Sequence, residues 1–420
     1  MQARKSAIYL DVNAGRPLHP LAANAIRTQL DEWTSGRVVN PSSVHSAGRE
    51  AKKRFSAARE AVLSSLGVLD HPQRGDGVVF TSSCTEANQM AVQSFVHSQS
   101  LSSGSNKTFW ITTEVEHECH LALVAPLREQ GVRVQFLSVD EHGLIRWDIL
   151  RERLIESYEE HEDARVLLSL LWVNNETGVI QDLSALRAIQ EEFPKIWVHL
   201  DGAQAWGKIP FRFAALQVDY AGFSGHKVGA PAGVGVLALS HRARQMLSRF
   251  SPMPGKQEKG ARGGTENLLG ILALGAVASE LSETHVIASH HLSRQLQRDF
   301  EARLLAQLSP SVIRISGGSA PRIPQTSHFT LRGMRGDLLA ARLDLEGVRV
   351  STGSACRSGS VDPSHVLLAM GRTREEAMSC LRVSFDSSLV SASDLTECAD
   401  RIETFVSPLR GSPSGRGSLT

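Results

Sequence analysis

Residues 196–201, Ile-Trp-Val-His-Leu-Asp, and residues 220–227, Tyr-Ala-Gly-Phe-Ser-Gly-His-Lys, are short apolar runs that each lead into polar side chains. Their β-branched and aromatic residues predict two strands, followed at once by Asp201 and Lys227. The chain between them is long enough for one helical crossover, which is the connection that parallel strands need. We therefore predict two parallel strands whose carboxyl ends present Asp201 and Lys227 at one edge of a sheet.

The same pattern extends on both sides of these segments. Further strands are predicted at 78–81, 109–113, 132–138, 166–173 and 234–239, and helices at 50–66, 85–97, 120–130 and 183–193. Strands that alternate with helices predict an α/β fold with a mostly parallel, doubly wound sheet.

The length of 420 residues predicts a large domain and a smaller one. We assign residues 17–265 to the large α/β domain. Residues 1–16 and 266–406 are assigned to a smaller α+β domain, in which 266–307 is predicted to be a mostly helical connection. Residues 407–420 are rich in Ser, Gly and Pro and are expected to form a disordered tail.

Composition excludes several classes of protein. Hydrophobic residues make up 41%, charged residues 21%, and the formal net charge is +1, which is typical of a globular protein without a nucleic-acid partner. The apolar runs fall short of the roughly 20 residues of a membrane span, and the N-terminus lacks the core of a secretory signal, so we expect no membrane association and a cytoplasmic location. The 5 cysteines lack C-x-x-C spacing, and we predict neither a disulfide framework nor a metal site.

Asp201 and Lys227 together have the chemistry of a pyridoxal 5'-phosphate (PLP) site. A lysine in a dry cleft is easily deprotonated, and only the neutral amine forms a Schiff base with an aldehyde. An aspartate nearby would keep a pyridine nitrogen protonated. The charged ring then withdraws the electrons left when a bond to Cα breaks, which is the chemistry that PLP supplies.

A phosphate cradle is predicted where residues 80–86, Phe-Thr-Ser-Ser-Cys-Thr-Glu, leave a strand and enter a helix. The amides and the dipole of a helix N-terminus favour an anion. We take Thr85 and the amide of Cys84 as phosphate ligands. Ser224 and His226, close to Lys227, would add donors.

His117 and Asn175 also follow predicted strands, where His117 can stack on an aromatic ring and Asn175 can donate to a ring hydroxyl. Each such residue alone has an ordinary structural explanation, since a Ser/Thr run is usually an N-cap and a lone histidine, aspartate or lysine is usually hydrogen-bonded or solvated. The functional interpretation rests on all of them following consecutive strands. Ligands bind beyond the carboxyl ends of the strands in open α/β sheets.

Ordered motifs along most of the chain carry a resemblance to a known family. The sequence resembles the cysteine desulfurases and selenocysteine lyases, class V members of the type I PLP-dependent aminotransferase fold. The matching segments are Tyr9-Leu-Asp11, Asn40-Pro-Ser-Ser-Val-His45, Gly48-Arg49, Phe80-Thr-Ser-Ser-Cys-Thr-Glu86, Glu116-His117, Val173-Asn-Asn-Glu-Thr-Gly178, Asp201-Gly-Ala-Gln204, Ser224-Gly-His-Lys227, Arg262-Gly-Gly-Thr-Glu-Asn267 and Ser351-Thr-Gly-Ser-Ala-Cys356.

This resemblance implies roles for individual residues. Lys227 would carry PLP as a Schiff base, Asp201 would pair with the pyridine nitrogen, and His117 would stack on the ring. Thr265 matches a threonine that reaches the phosphate of the neighbouring subunit, which implies a homodimer with shared active sites. The remaining cofactor contacts would come from Asn175 and Gln204 to the ring substituents and from Cys84, Thr85, Ser224 and His226 to the phosphate.

Cys356 decides which reaction the resemblance implies. It lies in Gly353-Ser-Ala-Cys-Arg-Ser-Gly359, whose small residues would let the thiol swing into the site, and Arg357 beside it would favour the thiolate. The alternative interpretation is an inert buried cysteine, which we keep for Cys380 and Cys398.

The implied reaction is cysteine desulfuration. L-cysteine would form an external aldimine and then a ketimine, with Lys227 and His117 moving protons. Cys356 would take the sulfur as a persulfide while L-alanine is released. The persulfide would pass to an acceptor protein or thiol, as iron–sulfur cluster assembly requires.

Three departures from the family pattern concern the substrate and the subunit edge. Where desulfurases place an arginine that forks onto the substrate carboxylate, this chain has Ser387, and a hydroxyl cannot replace a guanidinium. The usual Ala-Thr-Thr-Pro reads Ala14-Gly-Arg-Pro17, and we expect Arg16 to take over the carboxylate, with Asn175 also contacting the substrate. Lys256 replaces a glycine at the expected subunit edge.

Two other functions remain open at this stage. A class V aminotransferase, epimerase or lyase acting on another amino acid would tolerate Cys356→Ser. A PLP-binding homologue that acts mainly as an assembly partner would be yellow and would turn nothing over. The sequence also leaves cysteine and selenocysteine as alternative substrates.

Overall fold

The computed structural model describes residues 7–35, 37, 40–69, 75–353 and 362–407, apart from residues 101–106 and the side chains of residues 99 and 100. The strands are β1 (Ile8–Tyr9), β2 (Gly77–Thr81), β3 (Thr108–Thr113), β4 (Arg133–Leu137), β5 (Arg165–Leu171), β6 (Trp197–Asp201), β7 (Tyr220–Ser224), β8 (Gly235–Leu239), β9 (Ile313–Ile315), β10 (Thr326–Leu331), β11 (Val348–Arg349) and β12 (Cys380–Ser384).

The α-helices are α1 (Pro20–Thr34), α2 (Ser46–Leu66), α3 (Cys84–Ser100), α4 (Glu118–Leu121), α5 (Val124–Glu129), α6 (Trp147–Glu160), α7 (Ser184–Glu192), α8 (Phe213–Leu216), α9 (Gly225–Val228), α10 (His241–Phe250), α11 (Leu268–Ala278), α12 (Glu283–Gln307), α13 (Gly336–Leu345), α14 (His365–Ala369), α15 (Arg374–Met378) and α16 (Ala392–Val406).

A mostly parallel, 7-stranded sheet forms the centre of the large domain, in the order β2-β8-β7-β6-β5-β3-β4. Strand β8 runs antiparallel to both of its neighbours, and the other pairs are parallel. The predicted α/β class is therefore confirmed. The two segments on which that prediction rested are adjacent strands, with Leu200 of β6 opposite Ala221 of β7.

Helices cover both faces of this sheet, and alternate side chains of each strand enter different cores. Phe80 and Val236 belong to the core that α2 and α11 cover, whereas Val79 and Leu237 belong to the core that α3 and α10 cover. A strand buried on both faces is an almost continuous apolar run. That continuity is the physical reason why these strands could be predicted.

The predicted helix 120–130 is instead two short helices, α4 and α5. A continuous helix would press the ring of Pro126 against the carbonyl of Ala122 and would lose one hydrogen bond there. Helix α4 begins at Glu118, with His117 as its N-cap accepting a hydrogen bond from the amide of Cys119. His117 is therefore fixed at the start of α4 by its capping hydrogen bond.

The smaller domain contains a 3-stranded antiparallel sheet, β12-β10-β9, whose core includes Phe300 of α12 and Ile402 of α16. The N-terminal segment joins it, because β1 pairs in parallel with β11 and Leu10 lies in the same core. Of the expected tail 407–420, only Ser407 lies within the described residues.

Helix α11 follows residue 265, the expected end of the large domain, but it packs in the core of that domain. Ile271 and Leu274 are buried in the core of the large domain, and Gly275 packs directly against Ala58 of α2. The helix is apolar on all sides and needs burial all round. Within the described residues, no single helix is long and apolar enough for a membrane crossing, and α11 and α12 meet that test only as a pair bent by 74°.

Strand β7 and helix α3 approach closely at Gly222. A methyl group there would lie 2.0 Å from Asn88 Oδ1 and 3.2 Å from Cys84 Sγ. The missing side chain lets the start of α3 reach the sheet, where Asn88 Nδ2 donates to Asp201 Oδ2 at 2.8 Å. The position of Asp201 therefore depends on this close contact.

We expect Gly222→Ala to lower the free energy of unfolding by about 1–3 kcal/mol, because an added methyl group overpacks this contact. Denaturant unfolding followed by circular dichroism measures the change. Gly318→Ala is the matched control, since a methyl group at that exposed glycine meets nothing closer than 3.7 Å. Equal stability of the two variants would contradict the expectation.

Candidate active site

A cavity of about 670 Å³ opens at the carboxyl ends of β2, β3, β5, β6 and β7. Because parallel strands end at the same edge of a sheet, residues far apart in sequence converge here. The predicted site residues that line it are Cys84, Thr85, His117, Asn175, Asp201, Gln204, Ser224, His226 and Lys227.

Lys227 lies in the short helix α9, directly after β7. Its Nζ donates to the carbonyl oxygens of Asn13 at 2.5 Å and Ala14 at 2.8 Å. Burial lowers the pKa of Lys227 to about 8, and the charge of Arg382 adds to this effect. Roughly a tenth of the amine is then neutral at pH 7, whereas almost none of an exposed lysine would be.

Asp201 ends β6, and its carboxylate is buried but held by hydrogen bonds. Oδ2 accepts from Asn88 Nδ2 at 2.8 Å, and Oδ1 accepts from the amide of Ala203 at 2.9 Å. Cys84 Sγ lies 3.6 Å from Oδ1. These contacts fix the carboxylate on the cavity wall, where it can pair with a protonated ring nitrogen.

Two imidazoles on the cavity wall are held by defined partners. His117 Nδ1 accepts from the amide of Cys119 at 3.3 Å, which leaves Nε2 as the exchangeable nitrogen. His226 Nδ1 lies 2.9 Å from Ser224 Oγ. Burial, assisted by Lys227, lowers the pKa of His226 to about 4, so this imidazole is neutral at pH 7. The pair of Ser224 and His226 is thus an uncharged polar group.

The start of α3 is fixed by its own side chains. Ser83 Oγ accepts from the amide of Glu86 at 3.1 Å, which is the capping role that a Ser/Thr run ordinarily serves. Arg262 Nε donates to Glu86 Oε1 at 2.8 Å and holds the same turn from outside. Cys84 and Thr85 are left on the cavity wall.

Asn13 is a central residue of the cavity that the sequence analysis missed. Its carbonyl accepts from Gln204 Nε2 at 3.0 Å, and its Oδ1 accepts from Lys208 Nζ at 2.7 Å. Its Nδ2 donates to the carbonyl of Asn175 at 3.2 Å and to Thr326 Oγ1 at 2.8 Å. The available signal was a polar residue directly after the apolar N-terminal run.

Arg382 was missed as well, although it is a charged residue inside the apolar strand β12. Its side chain is 5% exposed and lines the cavity. Nη2 donates to Asp11 Oδ1 at 2.7 Å, and Nη1 donates to the carbonyls of Asn175 at 2.9 Å and Gly353 at 3.4 Å. Arg382 therefore connects the small domain to the N-terminal segment and to the start of the cysteine-containing stretch.

Three predicted residues are not on the described wall of this cavity. Cys356 lies outside the described residues. Thr265 is exposed and does not line the cavity. Arg16 lines a second cavity of about 310 Å³, which shares Lys227 with the first, and its Nε donates to Asp386 Oδ2 at 2.5 Å. The guanidinium that we expected to receive a substrate carboxylate is already paired with a carboxylate of this chain.

Comparison with known proteins assigns the family. Residues 8–391 match the family model described as aminotransferase class-V. The chain belongs to this class V aminotransferase family, whose members depend on PLP. Among its curated relatives is a cysteine desulfurase of Nostoc sp., which is 34% identical over 368 residues, covering 87% of this chain and 84% of that protein.

Solved structures give the same result and confirm the resemblance seen in the sequence. A NifS-like protein from Rickettsia africae superposes with a TM-score of 0.80 at 27% identity, over 95% of this chain and 99% of that chain. A structure described as SspA in complex with cysteine gives a TM-score of 0.72 at 26% identity, over 90% of this chain and 99% of that one.

The lowered pKa of Lys227 predicts a pH dependence. PLP should react with the cofactor-free protein at a rate that rises through a midpoint near pH 8, because the neutral amine predominates above that pH. Stopped-flow absorbance measures the rate, and Lys195→Ala, at an exposed position, should leave the profile unchanged. A midpoint at the usual lysine value of 10.5 would show that burial does not act on this amine.

Proposed function

We propose that this protein is a PLP-dependent cysteine desulfurase, which moves the sulfur of L-cysteine onto Cys356 and releases L-alanine. The observation that carries the proposal is the cavity in which a partly neutral Lys227 and a hydrogen-bonded Asp201 face the same space. Its named relatives support the reaction, since one is a cysteine desulfurase and another was solved with cysteine bound.

The residues of the cavity fit PLP. Lys227 offers an amine to the aldehyde, and Asp201 offers a fixed carboxylate to the ring nitrogen. Thr85 and the neutral pair of Ser224 and His226 would bind the phosphate. When bound, PLP would supply a ring that withdraws electrons from the substrate Cα.

Proton transfer in this cavity would fall to Lys227 and His117. Lys227 would take up and return the Cα proton once its Nζ leaves the carbonyls of Asn13 and Ala14. His117 would exchange a proton through Nε2, because its Nδ1 is engaged by a backbone amide. Asn175 and Gln204, on the same wall, would orient the ring substituents.

Chain connectivity supports Cys356 as the sulfur acceptor. Gly353 lines the cavity on one side of the stretch 354–361, and the residues from Asp362 to His365 line it on the other. Both ends are anchored, since Ser364 Oγ donates to Glu176 Oε2 at 2.5 Å and Arg382 Nη1 donates to the Gly353 carbonyl at 3.4 Å. With Cα atoms about 3.8 Å apart along a chain, Cys356 stays within about 11 Å of Gly353.

The proposed transfer balances in atoms and electrons. The Cys356 thiolate attacks the substrate sulfur, the Cβ–S bond breaks, and its electron pair and a proton end on the carbon that becomes the alanine methyl group. The carbon is thereby reduced by two electrons and the sulfur is oxidised by two, so Cys356 is left as a persulfide. An acceptor thiol or protein then removes that sulfur.

We expect Cys356→Ala to lower the rate of alanine formation from L-cysteine by at least about 100-fold. The reason is that none of the other described thiols could take over the nucleophilic role of Cys356. Alanine and sulfide are measured together, with a reductant present. Cys398→Ala is the matched control, since this thiol is buried in the core of the small domain and should leave turnover unchanged.

Full alanine formation by the Cys356→Ala variant would overturn sulfur transfer to this residue. The absence of alanine from the unchanged protein, despite a change in its absorbance with L-cysteine, would favour another amino acid as substrate. That second candidate, a class V aminotransferase, epimerase or lyase, is favoured by the pairing of Arg16 with Asp386.

Recognition of the substrate carboxylate would involve Arg16 in competition with Asp386. The two side chains are only 16% and 20% exposed, and Arg16 Nη1 also donates to the carbonyl of Val228 at 3.0 Å. Burial alone would raise the pKa of Asp386, but Arg16 and Ser388 together keep it below its usual value. Asp386 is therefore a charged competitor for the only guanidinium beside Lys227 in the described part of the second cavity.

We expect Arg16→Ala to raise the KM for L-cysteine by about tenfold, because a charge-assisted hydrogen bond is worth about 1.5–3 kcal/mol and part of it is already spent on Asp386. Asp386→Ala should lower KM, since it frees Arg16. Initial-rate kinetics with alanine detection measures both. An Arg16→Ala enzyme with unchanged KM would remove this residue from substrate binding.

Two copies of the chain are proposed to share their active sites. Thr265 is exposed, and Arg262, three residues earlier, is tied to Glu86 at the start of α3. This placement supports a contact from Thr265 to the phosphate site of a second copy. A cytoplasmic location and the supply of sulfur to an acceptor, including iron–sulfur cluster assembly, belong to the same proposal.

A further inference from the structure

A cluster of donor atoms lies at and behind the wall of the cavity, and the proposed function uses only Asp201 of it. Cys119 Sγ lies 3.9 Å from His120 Nδ1, and His120 Nδ1 lies 3.9 Å from Asp201 Oδ2. These donor atoms of Cys119, His120 and Asp201 are within 4.8 Å of one another, and all of the residues are buried. Cys84 Sγ is a further neighbour, 3.6 Å from Asp201 Oδ1.

His120 lies behind the cavity wall and has only weak contacts there. It is fully buried, and burial lowers its pKa to about 4, so the imidazole is neutral. Its Nδ1 has contacts of 3.6 Å to Glu116 Oε2 and 3.9 Å to Cys119 Sγ, both longer than an ordinary hydrogen bond. Its Nε2, and Oε2 of Glu116, have no hydrogen-bond partner among the described residues. A buried imidazole with such weak contacts is costly unless something binds it.

We propose that Cys119, His120 and Asp201 form a binding site for a divalent zinc-type cation. Thiolate, neutral imidazole and carboxylate are the ligands that Zn²⁺ takes in proteins, with bonds of roughly 2.0–2.3 Å. Tetrahedral bonds of that length separate donor atoms by about 3.3–3.8 Å. The two spacings of 3.9 Å to His120 Nδ1 must therefore contract by up to roughly half an ångström, and any wider spacing, up to 4.8 Å, must contract by more.

Binding exchanges protons for the metal. Zinc binds cysteine as the thiolate, so the Cys119 thiol must lose its proton when the metal binds. That proton goes to solvent, and no oxidation state changes. Affinity should increase with pH.

PLP and the metal should compete, because both would bind Asp201. This inference rests on the proposed function. The same carboxylate is needed for the pyridine nitrogen of PLP and for the metal, and it has one negative charge for both. By linkage, each ligand lowers the affinity for the other by the same factor. Each chain would thus bind either PLP or the metal.

The test uses the full-length protein after removal of PLP, with Co²⁺ as the probe. We expect one equivalent per chain, with thiolate-to-cobalt charge transfer and the intense visible bands of a tetrahedral site. Added Zn²⁺ should displace the cobalt, and added PLP should reduce its binding at least about tenfold. Cys119→Ala and Cys119→Ser should weaken binding at least about tenfold, whereas Cys398→Ala, the control thiol, should bind as the unchanged protein does.

Circular dichroism shows whether each variant is folded, and the serine variant keeps the size of the side chain. Cobalt binding without thiolate charge transfer, or equal binding by the Cys119 variants and the control, would overturn the site. Binding that PLP does not reduce would overturn the antagonism. None of these measurements includes L-cysteine. Their outcome is therefore independent of whether the protein desulfurates cysteine.

Discussion

The position of Asn13 between the two domains is the contact on which the cavity depends. Its amide donates to Ser384 Oγ and its side chain to Thr326, both in the small domain. Its carbonyl and Oδ1 accept from Gln204, Lys208 and Lys227 of the large domain. Because every polar atom of this one residue is engaged, the small domain sits at a fixed place above the strand ends, and the cavity between them keeps its shape.

Burial then determines the charges on the wall of that cavity and directly behind it. Lys227, His226 and His120 all shift toward their neutral forms, and burial raises the pKa of Glu116 to about 8. Arg382 Nη2 forms an ion pair with Asp11 Oδ1 at 2.7 Å. The cavity therefore offers neutral nucleophiles and acceptors next to a few fixed charges, a combination that water would not allow.

The sequence predicted the part of this arrangement that depends on local order. Strands buried on both faces are continuous apolar runs, and the polar residues that follow them reach one edge, as Asp201 and Lys227 show. Asn13 and Arg382 escaped because their partners are remote in the chain, such as Thr326 for Asn13. The pairing of Arg16 with Asp386 was missed for the same reason, and it changed the environment expected for that guanidinium.

The pairing of β1 with β11 sets an order of assembly during synthesis. The sheet of the large domain uses residues 77–239, so it can form while the ribosome is still adding the rest of the chain. Residues 8–13 are made before this sheet, yet Ile8 pairs with Val348 and the amide of Asn13 bonds to Ser384, which are both made after it. A polypeptide released early would contain the folded sheet with Lys227 and Asp201 but would lack the small domain that covers them. Cellular quality control would then encounter a nearly complete large domain with an open active site.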